Sequence, residues 1–444
     1  MPNNTNSIRP VGRKRWFMLS LVMLVTCLNY LDRSNLGIAA STIQKEFGIS
    51  NGTLGILSSS FLWMYTFCLP FAGLVLDKMG PRLLYSISII GWSIATVAVG
   101  FASSVFSLIG CRVAVGLFES PAFPTNVRCI TTWHPARERA FAVGCYTSML
   151  YVGPAFLTPV LAWVLTNYGW RDVFYLTGGL GFFVFVIWSI FYRDPKNSGV
   201  SAEELSYIKE GGGLGDAAVE MPQERGPLPN RIAALLSHRQ VWGMFVGQFS
   251  VQTTLFFFLT WFPPYLINGK HMTVLKGGFY AAIPYLAAIV GTVVAGKWSD
   301  WMVNRGISNT VARKLPIIIG FVLSAVIMGA NYTNDINTVI MFMCAAFFGQ
   351  AMASTVTGAL LSDIAPRGMV GTLGGMLYCV ANIGGLLVPI IVGFSVDWSG
   401  GYNVALGYVS VVALMGVLAY LFLLGPVYRI QVNQKVTSRI SGER

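Results

Sequence analysis

The sequence predicts an all-α membrane protein of twelve transmembrane helices, arranged as two pseudo-symmetric bundles of six. Three observations lead there. Only 11 % of the 444 residues are charged and 54 % are hydrophobic, with a mean hydropathy of +0.62, whereas soluble domains carry roughly a quarter charged residues. Apolar stretches near the ~20 residues needed to cross a bilayer recur from end to end. A single long hydrophilic segment interrupts them, close to the middle of the chain.

Breaking the apolar stretches at charged or Gly/Pro-rich turns places the spans at about 17–41, 52–76, 83–102, 105–127, 141–165, 172–192, 240–266, 274–298, 315–332, 337–362, 371–395 and 402–426. Arg9, Arg13, Lys14 and Arg15 precede the first stretch, as in a signal peptide. No small-residue cleavage site follows and the stretch runs into Asp32-Arg33, so it is read as an uncleaved helix. Lysine and arginine are retained on the cytoplasmic side of a membrane. With the N-terminus inside, 24 of the 30 basic residues fall in cytoplasmic segments and 4 outside, leaving Arg33 and Arg112 within the membrane. Both termini are therefore expected in the cytoplasm, with the protein in the cell inner membrane.

The hydrophilic segment divides the chain into residues 1–192, an N-terminal six-helix bundle; 193–239, a cytoplasmic loop; and 240–444, a C-terminal six-helix bundle with a cytoplasmic tail. A short helical pattern around Ser201 to Glu210, Gly211-Gly212-Gly213, and Pro222, Pro227 and Pro229 punctuate the loop. The halves echo each other: Gly73 with Asp77 matches Gly296 with Asp300, and Pro159 before Gly169-Trp170 matches Pro389 before Gly400-Gly401. Such a repeat is the layout of many carriers, which place substrate at the midplane between the repeats. Gly73, Asp77, Gly80 and Arg82, after the second span, form a further signature. Glycine lets helices approach closely, while Asp and Arg pair or cap neighbouring helix ends. These features point to a cytoplasmic gate.

Charges in the spans point to the chemistry. An ionisable side chain at the bilayer centre costs at least ~2.5–3.5 kcal/mol, so it persists where it faces water or a partner. Asp32 and Arg33 lie ~14 Å, and Arg112 ~11 Å, from the same outer surface at 1.5 Å per residue. Glu119 follows Arg112 by seven residues, on the same helix face and ~10 Å deeper. A carboxylate beside a cation stays ionised and takes a proton when that partner leaves. Arginine presents a planar fork suited to a substrate carboxylate. Arg33 or Arg112 is thus expected to contact a small organic anion, with Asp32 and Glu119 exchanging protons. The alternative is a structural Asp32–Arg112 tie, with Glu119 facing loop water. Tyr30, Tyr65 and Asn382 are chosen from the neutral polar residues to line the site. Asp363, near a cytoplasmic end, is read as solvated, and His134 as a solvated loop histidine.

Other classes fit poorly. The net charge of +12 is spread over short loops, without the clustered face that binds nucleic acid. The seven cysteines stand singly in apolar segments, as small hydrophobes do. No metal cluster, nucleophile elbow or phosphate loop suggests an enzyme, a metal or a cofactor. The expected partners are a small organic anion, protons and the bilayer, with the protein as a monomer.

Several stretches add a family likeness: Asn29-Tyr30-Leu31-Asp32-Arg33-Ser34-Asn35-Leu36, Phe118-Glu119-Ser120-Pro121-Ala122-Phe123-Pro124, Thr260-Trp261-Phe262-Pro263 and the triple-glycine loop. With the repeat and the Gly73 to Arg82 signature, the chain resembles the major facilitator superfamily over its whole length. Within it, the chain resembles the anion:cation symporter family, nearest its bacterial galactonate and glucarate carriers. The resemblance implies uptake of a sugar acid with protons. It assigns Asp32 and Glu119 to proton coupling, Arg33 and Arg112 to the substrate carboxylate or its coupling network, and Tyr30 and Tyr65 to the cavity. Two departures stand out: Leu150 where those carriers have glutamine, and Thr357 or Gly358 with Tyr378 where they have tryptophan and asparagine. These leave other sugar acids, tartrate or an aromatic acid open as substrates, and export by proton antiport as a different use of the fold.

Overall fold

The computed structural model describes residues 12–213, 228–366 and 369–431; Arg9, Pro222 and Pro227 lie outside them. Helix α1 (Lys14–Phe47) ends where Gly48 turns left-handed, at φ 61°. Helix α2 (Asn51–Gly100) starts with the Ser50 side chain accepting from the Thr53 N–H. At 1.5 Å per residue its 50 residues would run ~75 Å, over twice the hydrocarbon thickness. It is two spans, broken at Gly80 (φ 72°, ψ 162°) before Pro81. A β-substituted residue adopts that φ poorly, and proline removes a donor.

A Ser104/Ser107 capping box starts α3 (Val105–Glu119), and α4 (Ala122–Trp133) continues it after a break at Ser120-Pro121. Then come α5 (Ala136–Asn167), α6 (Trp170–Phe191), a short α7 (Ala202–Glu210) capped by Ser201, and α8 (Leu228–Leu236). Helix α9 (Arg239–Thr260) passes into α10 (Phe262–Pro264) and a π turn, Tyr265–Gly269, bent by 52°. Pro263 and Pro264 supply no N–H to continue the ladder there. The rest are α11 (Val274–Asn304), α12 (Asn309–Ala325) with a 3-10 extension Val326–Tyr332, α13 (Ile336–Ile364), α14 (Val370–Ser399), and α15 (Asn403–Leu418) with a π turn Ala419–Leu423.

Nine of these helices are long and apolar enough to cross a membrane among the described residues, and the bent α9–α10 pair makes ten. The other two of the twelve are α1, whose Asn29, Asp32, Arg33 and Asn35 dilute its apolar content, and the second arm of α2.

Helix α1 packs against α5 and α6, and α2 against α3 and α6. In the second half of the chain, α13 packs on α11 and α12, and α14 on α9. Between the halves, α2 runs along α14 and α5 along α11. Missing side chains allow that contact: a Cβ on Gly55 would stand 2.3 Å from the Pro389 carbonyl oxygen, and one on Gly393 2.3 Å from that of Asn51. Beside this seam Asp397 of α14 accepts from the Asn51 N–H (2.9 Å), the Gly52 N–H (2.7 Å) and the Asn51 amide (2.8 Å). A carboxylate there satisfies donors that an α2 N-terminus would leave free, and complements its dipole. Gly73 differs from expectation: no atom lies within 4 Å of where its Cβ would be, so it serves no close approach here.

Charge ties α7 to the start of α1. Glu204 of α7, 1 % exposed, accepts from the Lys14 and Arg15 backbone N–H groups and from the Arg15 guanidinium at 3.1 Å. Arg15 also pairs with Glu138 at 2.8 Å, and Tyr207 donates to Glu138 at 2.6 Å. Removing one partner of a buried pair costs about 3–5 kcal/mol. Glu204→Ala is therefore expected to lower the melting temperature of the purified protein in a fluorescence melt, with Glu204→Gln intermediate; equal melting curves would show that the tie adds no stability.

Candidate functional site

The four intramembrane charges gather on α1 and α3 and are nearly sealed from solvent: Asp32 is 1 %, Arg33 7 %, Arg112 4 % and Glu119 0 % exposed. The expected extra depth of Glu119 does not separate it from the others. The long Arg33 side chain spans the offset, and its Nε donates to Glu119 Oε2 at 3.0 Å. Three rings hold the guanidinium, with Tyr30 at 4.7 Å and Phe61 and Tyr65 at 4.9 Å from its carbon. Arg112 lies over the Phe61 ring at 5.4 Å. An ion pair under aromatic faces is screened from water and gains from the ring quadrupoles.

The structure does not form the Asp32–Arg112 tie. Neither Asp32 oxygen, nor Arg112 Nε, nor Glu119 Oε1 has a hydrogen bond of normal length. Asp32 instead sees Arg112 and Glu119 as nearby charges and the Thr177 hydroxyl of α6 beside it. Buried groups left this way cost free energy unless another state of the protein satisfies them. The cluster thus holds one closed pair, two charges without a close counter-ion, and a spare oxygen on Glu119.

The backbone helps set Glu119. It is the last residue of α3, and the Ser120 N–H is shared between the Gly116 and Leu117 carbonyls at 3.2 and 3.4 Å, while Pro121 donates nothing. Gly116 brings α3 against α2, its would-be Cβ only 2.0 Å from the Phe61 carbonyl oxygen. Three polar neighbours escaped the choice made from sequence. Asn29 faces Glu119, while the Asn35 amide donates to Thr177 Oγ1 at 3.2 Å. Asn29 and Asn35 each sit three residues, about one helical turn, from Asp32, a spacing that could have marked them. Thr177, on a distant span, left no such signal.

Asn382 is buried in α14 with its Nδ2 unpaired, and none of the contacts of the four charges reaches it. Near the middle of the bundle, Tyr151 of α5 donates to Gln350 of α13 at 3.3 Å, and Phe123 meets Tyr378 at 4.4 Å between ring centres. Of the gate signature, Asp77 is exposed, and Arg82 donates to the Ser189 carbonyl at 3.0 Å in the last turn of α6. Arg82, Ser86, Ser189 and Asp194 line the polar side of a cavity of about 490 Å³. Burial raises the Asp194 carboxyl above its ordinary range, opposed by Arg128 and Arg82.

One polar residue, His134, differs from expectation, and a second, Asp363, is half-buried and paired. His134 is fully buried, its ring edge-on to Trp16 at 5.3 Å, and burial pushes its pKa down to about 4. The α4–α5 turn is covered by α1 and α7, so a loop position did not mean a wet one. Asp363 is ion-paired, accepting from Arg313 at 2.9 Å. Arg313 also reaches Asp300, which the repeat matches to Asp77.

A family model described as Major Facilitator Superfamily matches residues 22–312. The chain belongs to that superfamily. Membership makes it a membrane transporter of small molecules and not an enzyme. Similar proteins of this superfamily include a D-galactonate transporter of Escherichia coli O6:H1, 45 % identical, the match covering 96 % of this chain and 99 % of that one. A probable galactarate/D-glucarate transporter, GarP of Escherichia coli K12, is 36 % identical over 95 % and 97 % of the two chains. GudP of Bacillus subtilis, described in the same words, is 35 % identical over 98 % of each. The facilitator fold is also that of an inward-facing, unoccupied bacterial homologue of the human lysosomal transporter Spinster, with a TM-score of 0.71 at 20 % identity over 93 % of this chain and 97 % of that one. A D-xylose-proton symporter gives 0.71 at 17 % identity over 93 % and 98 %.

Proposed function

We propose that this facilitator imports a sugar acid of the galactonate or glucarate type together with protons, by alternating access. The observation that carries the reading is the buried Arg33–Glu119 pair with Asp32 and Arg112 beside it, each without a close counter-ion. Relatives named as a D-galactonate transporter and a probable galactarate/D-glucarate transporter support that reading. An incoming carboxylate competes with Glu119 for the guanidinium of Arg33 or engages Arg112. Two carboxylates on one cation in a water-poor site repel, so the displaced Glu119 takes a proton. Asp32, desolvated on α1 next to Arg33, carries the second exchangeable proton. Substrate and proton then bind cooperatively because each removes a charge penalty from the other.

Tyr30, Tyr65 and Asn382 line the path of the substrate, and Gly73, Asp77 and Arg82 gate its cytoplasmic end. Residues 1–192 and 240–444 act as two bundles that rock about the site in the cell inner membrane, with the monomer as the working unit and both termini cytoplasmic. The seam at Gly55 and Asp397 then closes the outer side. Leu150 and Tyr378 replace polar groups of the galactonate carriers, so the hydroxyl pattern of the acid is read differently.

Uptake into proteoliposomes from a panel of galactonate, glucarate, hexuronates, tartrate and aromatic acids tests this directly. An inward proton gradient is expected to drive accumulation of at least one sugar acid. Accumulation of none, or efflux driven by the opposite gradient, would replace symport with another use of the fold.

A further inference from the structure

Asp32 is nearly sealed, yet neither of its oxygens has a hydrogen bond of normal length. The neighbour that can supply one is the hydroxyl of Thr177, from α6. That hydroxyl is itself held. The Asn35 amide, one turn along α1 from Asp32, donates to Thr177 Oγ1 at 3.2 Å and so occupies one of its lone pairs. The other acceptor within reach of the hydroxyl proton is the Phe174 carbonyl, at a long 3.5 Å. Both Asn35 and Thr177 are 0 % exposed, so no water competes. The backbone under Thr177 is fixed as well. A Cβ on the next residue, Gly178, would meet the Ser93 carbonyl oxygen at 2.9 Å, and one on Gly181 the Ser93 hydroxyl at 2.0 Å, so α6 lies tight against α2.

From this geometry we infer that Thr177, oriented by Asn35, is a positioning residue that sets the proton affinity of Asp32, by donating its hydroxyl to the carboxylate when Asp32 is ionised and releasing it when Asp32 is protonated. The inference rests on the reading of Asp32 as a proton site. The charges facing Asp32 are Arg112 and Glu119 of α3. On α1 itself Arg33 is committed to Glu119, and from α5 Tyr146 and Tyr151 face Tyr30. Thr177 is thus the neutral donor whose removal changes the balance at Asp32 without moving a charge. Valine matches threonine in shape but has no donor, whereas serine keeps it.

The test needs no substrate. Infrared difference titration of purified wild type, Asp32→Asn, Thr177→Val and Thr177→Ser follows the protonated-carboxyl band with pH. A hydrogen bond to the charged form holds a proton affinity down, so Thr177→Val is expected to move the Asp32 midpoint up by about one pH unit, tenfold in affinity. Thr177→Ser is expected to titrate as wild type, which separates the hydroxyl from mere packing. If the Asp32→Asn variant loses the band but Thr177→Val titrates as wild type, Thr177 has no such role and Asp32 remains the proton site. If Asp32→Asn leaves the band unchanged, Asp32 does not titrate, and both readings fall together.

Discussion

Glu119→Gln is expected to abolish proton-driven accumulation while leaving exchange of substrate across the membrane intact. Glutamine keeps the shape of the side chain and an oxygen that accepts from Arg33, so the cluster stays folded around the three rings. What it removes is the exchangeable proton and the negative charge with which a substrate carboxylate competes. Without them, occupancy of Arg33 is no longer linked to proton uptake, and a gradient has nothing to act on. The measurement compares gradient-driven uptake with counterflow in the same proteoliposomes. The variant should show uptake no greater with the gradient than without it, at a counterflow rate within a few-fold of wild type. A variant that still concentrates substrate would place the coupling elsewhere.

The second large effect is expected at the α2–α14 seam. The approach of Gly55 to the Pro389 carbonyl leaves no room for a side chain, and packed backbones have little freedom to shift. Gly55→Val should therefore hold the seam open and stop uptake, while substrate binding persists. Asp397→Ala removes three hydrogen bonds from the same joint without adding bulk, and is expected to weaken closure less. Spin labels at the exposed Lys45 and Trp398, in a background with the seven native cysteines replaced, report the separation directly. Gly55→Val should lengthen it and Asp397→Ala broaden it. Unchanged distances with normal uptake would mean that this seam is not part of the cycle.

The helices were legible because lipid demands long apolar runs, and charged or glycine turns stop them. That logic places α6 and α13 within two residues at each end. It also finds Asp32, Arg33, Arg112 and Glu119, since a charge in such a run is conspicuous. Pairing was harder to read. Depth along a helix says where a Cα lies, but arginine reaches several ångströms beyond it, and so Arg33 meets Glu119 across an offset that seemed to part them. Burial outside the spans was harder still. His134 stands at a helix end, where sequence suggests water, yet covering segments exclude it, while Asp363 keeps partial exposure and gains Arg313 as a partner. Thr177 carries no charge and sits far along the chain, so three-dimensional packing alone brings it to Asp32.

The break at Ser120-Pro121 gives the fourth span a property of its own. A helix normally resists bending because each degree of bend stretches hydrogen bonds on one side. Here proline has no N–H, and the Leu117 carbonyl already takes only a shared, long bond from Ser120. The arm ending in Trp133 can therefore swivel against the arm that bears Arg112 with little hydrogen bonding to lose. Glu119 stands on the pivot. A change in its charge is thereby positioned to be felt as torque at a break in the backbone ladder of the span.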